Sequence, residues 1–397
     1  MTVCAIEMTT TAPFTIAADG SYAARLAGDG EARYPERWTL SGPEPYAVPL
    51  PLSQPEEADT EVSPLADGRV LIHRRVADRH AFALLYPTGP VGSAGGAAGG
   101  PRTGERPLGA VQPASEDVRV SLLPPCPDGG VAFALEVGPE GTVVWQVAGS
   151  AFGPERVARV PGRCSGGVWL DRTGRLLALD RELDGRTKTV AVDLGRGGEV
   201  TPLLQIAEDS DDRLVSAAPD SGLLLIRSDA PGEPRLGWGV LGSSRPVRFP
   251  ECLRPADAVP FAVQPGLALM PETCGVALRV PEGIVLWRPA DRHVFRLAAP
   301  VGWLGGGLWS AEGRLRLPYA TPEVPCGVAT LRRPIAPPPP VRVAPADVAP
   351  VEVAPVEVAP VEVAPVDAVP VDVAAAHVDP APPAAPRPVP LQQAPLS

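Results

Sequence analysis

Short apolar runs separated by polar turns follow one another along most of the chain. The pattern is clearest at residues 167–205, where four such runs cover residues 167–170, 175–180, 188–194 and 199–204. Runs of this length between turns that contain glycine or aspartate are typical of antiparallel strands joined by hairpins. The sequence therefore predicts an all-β fold.

A turn glycine followed by an apolar strand recurs along the chain. These glycines are Gly20, Gly68, Gly129, Gly174, Gly222, Gly266 and Gly313. Most intervals are about 46 residues, which is the length of one propeller blade with four strands. We therefore predict a seven-bladed β-propeller over residues 1–334. A ring of six or eight blades is the alternative.

One interval, from Gly68 to Gly129, is longer than the others. It contains residues 88–106, TGPVGSAGGAAGGPRTGER, which offer almost no side chains for a core. Glycine-rich chain of this kind behaves as a flexible linker. We expect a disordered loop here, leaving the second blade.

Tryptophan occupies the predicted third strand of several units, at Trp38, Trp145, Trp238 and Trp287. A large ring at a repeated strand position can bury much apolar area between neighbouring blades. We expect these side chains to pack blade against blade rather than to stack on a ligand.

The repeated turns resemble those of the WD40-like, TolB-type propeller. The resemblance is carried by residues 66–72, ADGRVLI, and residues 171–177, DRTGRLL, and it extends over about residues 12–334. The Gly-His and Trp-Asp pairs that open and close a true WD40 repeat are absent. The resemblance implies a propeller architecture and no particular function.

The last predicted blade lacks an outer, fourth strand of its own. The seventh unit supplies three strands, at residues 307–310, 314–317 and 327–331, before the chain becomes proline-rich. Residues 2–8, TVCAIEM, form an apolar strand without a unit of their own. We predict that this N-terminal strand completes the last blade, because pairing there removes an exposed edge.

Residues 335–397 have a different composition, with proline and an acid each recurring every five residues in VAPVEVAPVEVAPVE. Proline at this spacing excludes helices and internal strands. We expect an extended, disordered tail that acts as a spacer, or that presents proline-rich motifs to a partner.

The chain has 397 residues, a net charge of −11 and a pI near 5.0, so nucleic acid is an unfavourable partner. No segment has the apolar length of a membrane span, and no export signal opens the chain, which predicts a cytoplasmic protein. We expect a monomer.

Sequence motifs for catalysis and for cofactors are absent. The six cysteines lie far apart, and the four histidines form no metal-binding pattern and come together nowhere in the sequence. Neither a Gly-x-Ser-x-Gly elbow nor a phosphate-binding loop occurs. We therefore predict no metal, no cofactor and no catalytic residue, and we regard an enzyme as the less favoured class.

Acidic residues are the most informative polar feature. In a propeller, the connections between blades share one face with the loops between second and third strands, and both are acidic here. The candidate binding residues are Glu56, Glu57, Asp59, Asp78, Asp184, Glu208, Asp209, Asp211, Asp212 and Asp229. The alternative role for this face is a solvated rim that keeps the protein in solution.

The sequence thus favours a non-enzymatic platform whose acidic face binds a partner protein of cationic character, with the tail as a spacer. The alternative is a propeller hydrolase or lyase that acts on a carbohydrate through carboxylates of the rim. Such chemistry needs two carboxylates about 5–10 Å apart, which a sequence does not reveal.

Overall fold

A computed structural model describes residues 14–88, 102–254, 257–266 and 270–332. These residues form seven antiparallel sheets, each built from strands that are consecutive in the chain. Blade 1 contains β1 Thr15–Ile16, β2 Tyr22–Ala27, β3 Tyr34–Thr39 and β4 Tyr46–Pro49. Blade 2 contains β5 Glu61–Pro64, β6 Val70–Val76, β7 Arg79–Thr88 and β8 Arg102–Val111.

The next two blades also have four strands. Blade 3 contains β9 Arg119–Leu122, β10 Ala132–Gly138, β11 Gly141–Ala148 and β12 Glu155–Val160. Blade 4 contains β13 Arg163–Trp169, β14 Leu176–Leu183, β15 Arg186–Asp193 and β16 Glu199–Leu204, with a short 3-10 helix at Leu194–Arg196.

The last three blades are less regular. Blade 5 contains β17 Asp212–Ala218, β18 Leu223–Ser228 and β19 Arg235–Val240, and a single bridge joins Trp238 to Arg248. Blade 6 contains β20 Val259–Val263, β21 Val276–Val280, β22 Gly283–Trp287 and β23 Phe295–Leu297, with 3-10 helices at Glu251–Leu253 and Pro271–Thr273. Within the described residues, blade 7 contains β24 Leu308–Trp309, β25 Arg314–Tyr319 and β26 Gly327–Arg332.

The apolar core of the described residues is divided into seven clusters, and each lies between two neighbouring blades. Strand β14 shows why: Leu177 and Leu179 face blade 3, whereas Ala178 between them faces blade 5. Because successive side chains of a strand point to opposite faces, an inner strand buried on both sides needs a continuous apolar run.

The ring is closed between blades 1 and 7. Trp38 is fully buried there, against Leu304 and Leu308 among others. An Arg316 guanidinium nitrogen on blade 7 donates to the Leu40 carbonyl oxygen of blade 1 at 2.6 Å. The predicted seven-bladed propeller is therefore confirmed.

The four tryptophans occupy third strands, as predicted. Trp38, Trp238 and Trp287 are buried in clusters between blades, and Trp145 packs at the edge of one. The interpretation of these residues as packing residues is confirmed.

The predicted glycine-rich loop is too long at both ends. Thr88 ends β7, and residues 102–106 begin β8, where Glu105 also pairs with Arg74 at 2.6 Å. Glycine in this segment does not prevent backbone pairing, and Gly104 lies opposite Tyr86. Residues 89–101 lie outside the described part of the chain, as do the predicted N-terminal strand at residues 2–8 and the tail at residues 335–397.

Candidate functional site

The antiparallel order of each blade defines two faces of the ring. We call the face that carries the inter-blade connections and the loops between second and third strands the connection face. The opposite face carries the other turns and is called the turn face. All ten acidic candidate residues belong by topology to the connection face: Glu56, Glu57, Asp59, Asp78, Asp184, Glu208, Asp209, Asp211, Asp212 and Asp229.

The turn face also carries aspartates, but these hold the repeated turns. The carboxylate of Asp67 accepts a hydrogen bond from the Arg69 backbone N–H at 3.0 Å, and that of Asp171 does so from Thr173 at 3.0 Å. An aspartate that caps its own turn in this way explains the repeated Asp-Gly motif.

Six of the ten candidates are exposed on the connection face. They are Glu57, Asp59, Asp78, Asp184, Glu208 and Asp209. Asp78 accepts a hydrogen bond from the Gln112 amide at 2.7 Å. The exposed set comes from loops of blades 2 and 4 and from the connections between blades 1 and 2 and between blades 4 and 5, so it forms a surface rather than a single pocket.

Glu56 is buried and serves the structure of blade 2. Both of its carboxylate oxygens accept hydrogen bonds from the Arg74 guanidinium at 2.8 Å. Bidentate pairing of this kind fixes the connection between blades 1 and 2. Glu56 therefore has no free carboxylate oxygen directed towards a partner.

Asp212 is fully buried and holds the connection between blades 4 and 5. Its carboxylate accepts hydrogen bonds from Lys188 Nζ at 2.8 Å, from Ser228 Oγ at 2.6 Å and from the Ile206 N–H at 2.9 Å. The ion pair and hydrogen bonds offset the cost of burying this charge. Asp212 is a structural residue.

Asp211 and Asp229 are half-buried beside it. The Asp211 carboxylate accepts from the Thr187 N–H at 2.7 Å, while the Asp211 N–H donates to Asp229 Oδ1 at 2.7 Å. These two carboxylates therefore fix loops to each other. Of the tract at residues 208–212, only Glu208 and Asp209 are exposed acids.

A cavity of about 400 Å³ opens among blades 3, 4 and 5 near the connection face. Three arginines line it, Arg119, Arg163 and Arg213, each at the beginning of the innermost strand of its blade. The carboxyl groups of Asp117, Asp180 and Glu182 line it as well. We call this space the arginine cavity.

Asp180 is the buried carboxyl of the arginine cavity. Its Oδ1 accepts hydrogen bonds from Thr189 Oγ1 at 2.8 Å and from the Leu214 N–H at 3.0 Å. Burial raises the pKa of Asp180 above its ordinary value, against the opposing effect of these hydrogen bonds. Its Oδ2 accepts no hydrogen bond from the described residues.

A second, larger cavity of about 1070 Å³ is the central channel, which is lined by all seven blades. Near the turn face, Asp220 of blade 5 joins its neighbours: it pairs with Arg172 of blade 4 and accepts the Gly266 N–H at 2.7 Å. The hydrogen bond from Arg172 lowers the pKa of Asp220. This contact ties three blades together at the channel wall.

Two histidines meet in blade 2, although no sequence motif brings them together. His73 Nδ1 lies 2.8 Å from Glu61 Oε2, and His73 Nε2 lies 2.8 Å from His80 Nδ1. The carboxylate accepts, so His73 Nδ1 carries a proton, and one further proton lies between the two rings. The register of the β6–β7 hairpin pairs Arg75 with His80, which sets His73 and His80 diagonally on one face of the sheet.

The cysteines of the described part of the chain are free, and burial raises the pKa of Cys126 and of Cys326 to about 11. Within the described ranges, no group of three or more His, Cys, Asp and Glu side chains is arranged to hold a metal ion. None of the helices formed by these residues has the length and apolar character that a membrane-spanning segment requires.

Comparison with known proteins yields structural similarity alone. No family model and no curated protein matches the chain. A putative TolB from Agrobacterium tumefaciens is similar over 82% of this chain and 90% of its own, with 13% identity and a TM-score of 0.37.

Two further similar structures are propellers as well. Virginiamycin B lyase from Staphylococcus aureus covers 80% of this chain and 93% of its own, with 12% identity and a TM-score of 0.47. The propeller domain of the Trilobed protease from Pyrococcus furiosus covers 81% and 93%, with 11% identity and a TM-score of 0.46. The predicted propeller architecture is confirmed by the seven sheets of this chain itself.

Proposed function

We propose that this propeller is a non-enzymatic binding platform whose connection face engages a partner protein. The observation that carries the proposal is the separation of exposed from internal acids on that face. Glu57, Asp59, Asp184, Glu208 and Asp209 are exposed and make no ion pair with the described residues, whereas Glu56 and Asp212 are paired internally.

Charge complementarity then favours a partner with a basic surface. Exposed carboxylates spread over several blades attract an extended cationic surface, and they accelerate its association most strongly at low ionic strength. The proposal keeps the other sequence predictions: a monomeric, cytoplasmic protein that does not bind nucleic acid, with residues 335–397 as the spacer.

Affinity capture from a lysate of the source organism, at low salt, tests the proposal with a matched pair of variants. Asp184→Asn, Glu208→Gln and Asp209→Asn together remove three negative charges from the connection face. Glu44→Gln, Glu155→Gln and Glu199→Gln remove three from exposed positions on the turn face.

We expect a partner that the wild type and the turn-face variant retain and that the connection-face variant loses. Equal loss from both variants would indicate attraction by net charge alone. Retention by both would exclude the exposed acids as the binding surface.

A second candidate function is a carbohydrate hydrolase or lyase, and Asp180 is the observation that favours it. A buried carboxyl with a raised pKa, in a cavity with two other carboxyl groups, is the kind of group that can act as a general acid. A screen of oligosaccharide substrates tests this candidate. Turnover that Asp180→Asn abolishes would support it.

A further inference from the structure

The arginine cavity offers a second kind of recognition on the connection face, opposite in charge to its acidic surface. Arg119, Arg163 and Arg213 come from the first strands of three consecutive blades, so the ring geometry brings them together. Each guanidinium group offers several N–H donors in a planar fork that suits an oxyanion.

None of these three arginines forms an ion pair with a carboxylate of the described residues. Arg25, Arg74 and Arg175, by contrast, each form an ion pair with a carboxylate of the described residues. Arg213 instead donates to two neutral hydroxyl groups, Ser165 Oγ at 3.2 Å and Thr187 Oγ1 at 3.0 Å.

Arg119 and Arg163 are exposed and form no ion pair or hydrogen bond with the described residues. Glu182 lies directly opposite Arg163 in the sheet register, yet the two side chains do not pair. The guanidinium groups are therefore available to a ligand.

The carboxyl groups of the cavity restrict which anion is accepted. Asp117, Asp180 and Glu182 lie in the same space and would repel a doubly charged phosphate more strongly than a singly charged carboxylate. Asp180 is a buried residue, and its Oδ2, which accepts no hydrogen bond from the described residues, is free to accept one from a ligand donor. A hydroxyl group of the ligand supplies such a donor.

We infer that the arginine cavity binds a small hydroxylated monocarboxylate of the sugar-acid class. Its carboxylate lies against Arg119 and Arg163, and its hydroxyl groups face Asp180 and Ser165. A volume of about 400 Å³ is within the range of small-molecule sites. The inference does not depend on a partner protein, and it holds whether the bound sugar acid is only recognised or also transformed.

Titration calorimetry of the full chain tests this inference with D-glucuronate, D-galacturonate and D-gluconate as probes. D-Glucose, which lacks the carboxylate, and glucose 6-phosphate, which carries a dianion, are the comparison ligands. We expect saturable binding of at least one sugar acid below about 10 mM, with weaker binding of both comparison ligands.

Two double variants locate the site. Arg119→Gln with Arg163→Gln should weaken sugar-acid binding at least about tenfold, since two charge-assisted contacts are lost. Arg186→Gln with Arg292→Gln removes two exposed arginines outside the cavity and should leave binding unchanged. Circular dichroism verifies that both variants are folded.

Three results would overturn the inference: no saturable binding of any sugar acid, glucose or the phosphate ester binding as tightly as the sugar acids, or equal effects of the two double variants. None of them would affect the proposed protein–protein role, because the charge variants that test that role leave Arg119 and Arg163 intact.

Discussion

Ala66 of blade 2 and Gly129 of blade 3 meet at the boundary between their blades. The Ala66 N–H donates to the Gly129 carbonyl oxygen at 3.0 Å, and a Cβ atom on Gly129 would lie 2.6 Å from the Ala66 Cβ. Gly129 also has a φ of +76°, in the left-handed region. Gly129 therefore both shapes its own turn and allows close approach of the preceding blade.

Gly129→Ala should lower the free energy of unfolding by about 2–4 kcal/mol, because overpacking and the left-handed φ both add strain. Gly185→Ala is the matched control, since Gly185 has a φ of +75° but no atom within 4 Å of the added Cβ. It should cost only about 1–2 kcal/mol. Urea denaturation measures both values, and equal losses would contradict the close contact between the blades.

Asp212→Ala should cost about 3–5 kcal/mol, because it leaves the Lys188 ammonium partly buried without its carboxylate. Asp209→Ala, three residues earlier and exposed, should change the free energy of unfolding by less than about 0.5 kcal/mol. Chemical denaturation of the two variants compares a structural acid with a surface acid. A small effect of Asp212→Ala would refute the structural role.

His80 should make the protein less stable below neutral pH. Burial lowers the pKa of His80 in the folded state, and the neighbouring His73 and Arg75 lower it further. The carboxylates of Glu61 and Asp59 act in the opposite direction, but the net shift is downward. The unfolded chain, with a histidine pKa of about 6.5, then binds more protons in the interval below that value. The stability that neutral His80 contributes above about pH 6.5 is therefore lost as the pH falls from the unfolded-state pKa towards the lower folded-state pKa.

The pH dependence of the melting temperature between about pH 5 and 7.5 tests this prediction. His80→Gln should give a flatter dependence than the wild type. His293→Gln, at an exposed histidine, should leave the dependence unchanged. If His80→Gln melts with the wild-type pH profile, His80 does not titrate as inferred.

Removal of residues 1–10 should lower the melting temperature by several degrees, since the predicted N-terminal strand would no longer complete the last blade. Removal of residues 335–397 should leave it almost unchanged, because the predicted spacer contributes no core. Differential scanning calorimetry of both truncations provides the comparison. If removal of residues 1–10 leaves the melting temperature unchanged, the N-terminal strand is not part of the ring.

Local patterns in the sequence were sufficient for the architecture. Strand runs, turn glycines and third-strand tryptophans each follow from constraints within one blade, or from the repetition of the same constraint. The pattern around Gly174 predicted the strands of blade 4 to within a few residues. The glycine-rich segment was less informative, because composition alone does not show that Gly104 can pair with Tyr86.

The candidate site depends on contacts between distant residues, and these were predicted less completely. The sequence predicts five surface residues at 208–212. In the structure, however, Asp212 is buried and accepts hydrogen bonds from Ser228 and Lys188, which lie on other strands. The arginine cavity requires strands from three blades. The histidine pair could have been found from the register of a tight hairpin, because that register determines which diagonal neighbours share a face.

Carboxyl footprinting shows whether the exposed acids of the connection face contact the partner. The complex and the free propeller would each be labelled with a carbodiimide and an amine, and the modified residues quantified by mass spectrometry. We predict that Asp184, Glu208 and Asp209 are protected in the complex, while Glu44 and Glu155 on the turn face are labelled equally in both states. Protection of Glu44 and Glu155, with Glu208 and Asp209 still fully labelled, would show that the partner binds the turn face and not the acids of the connection face.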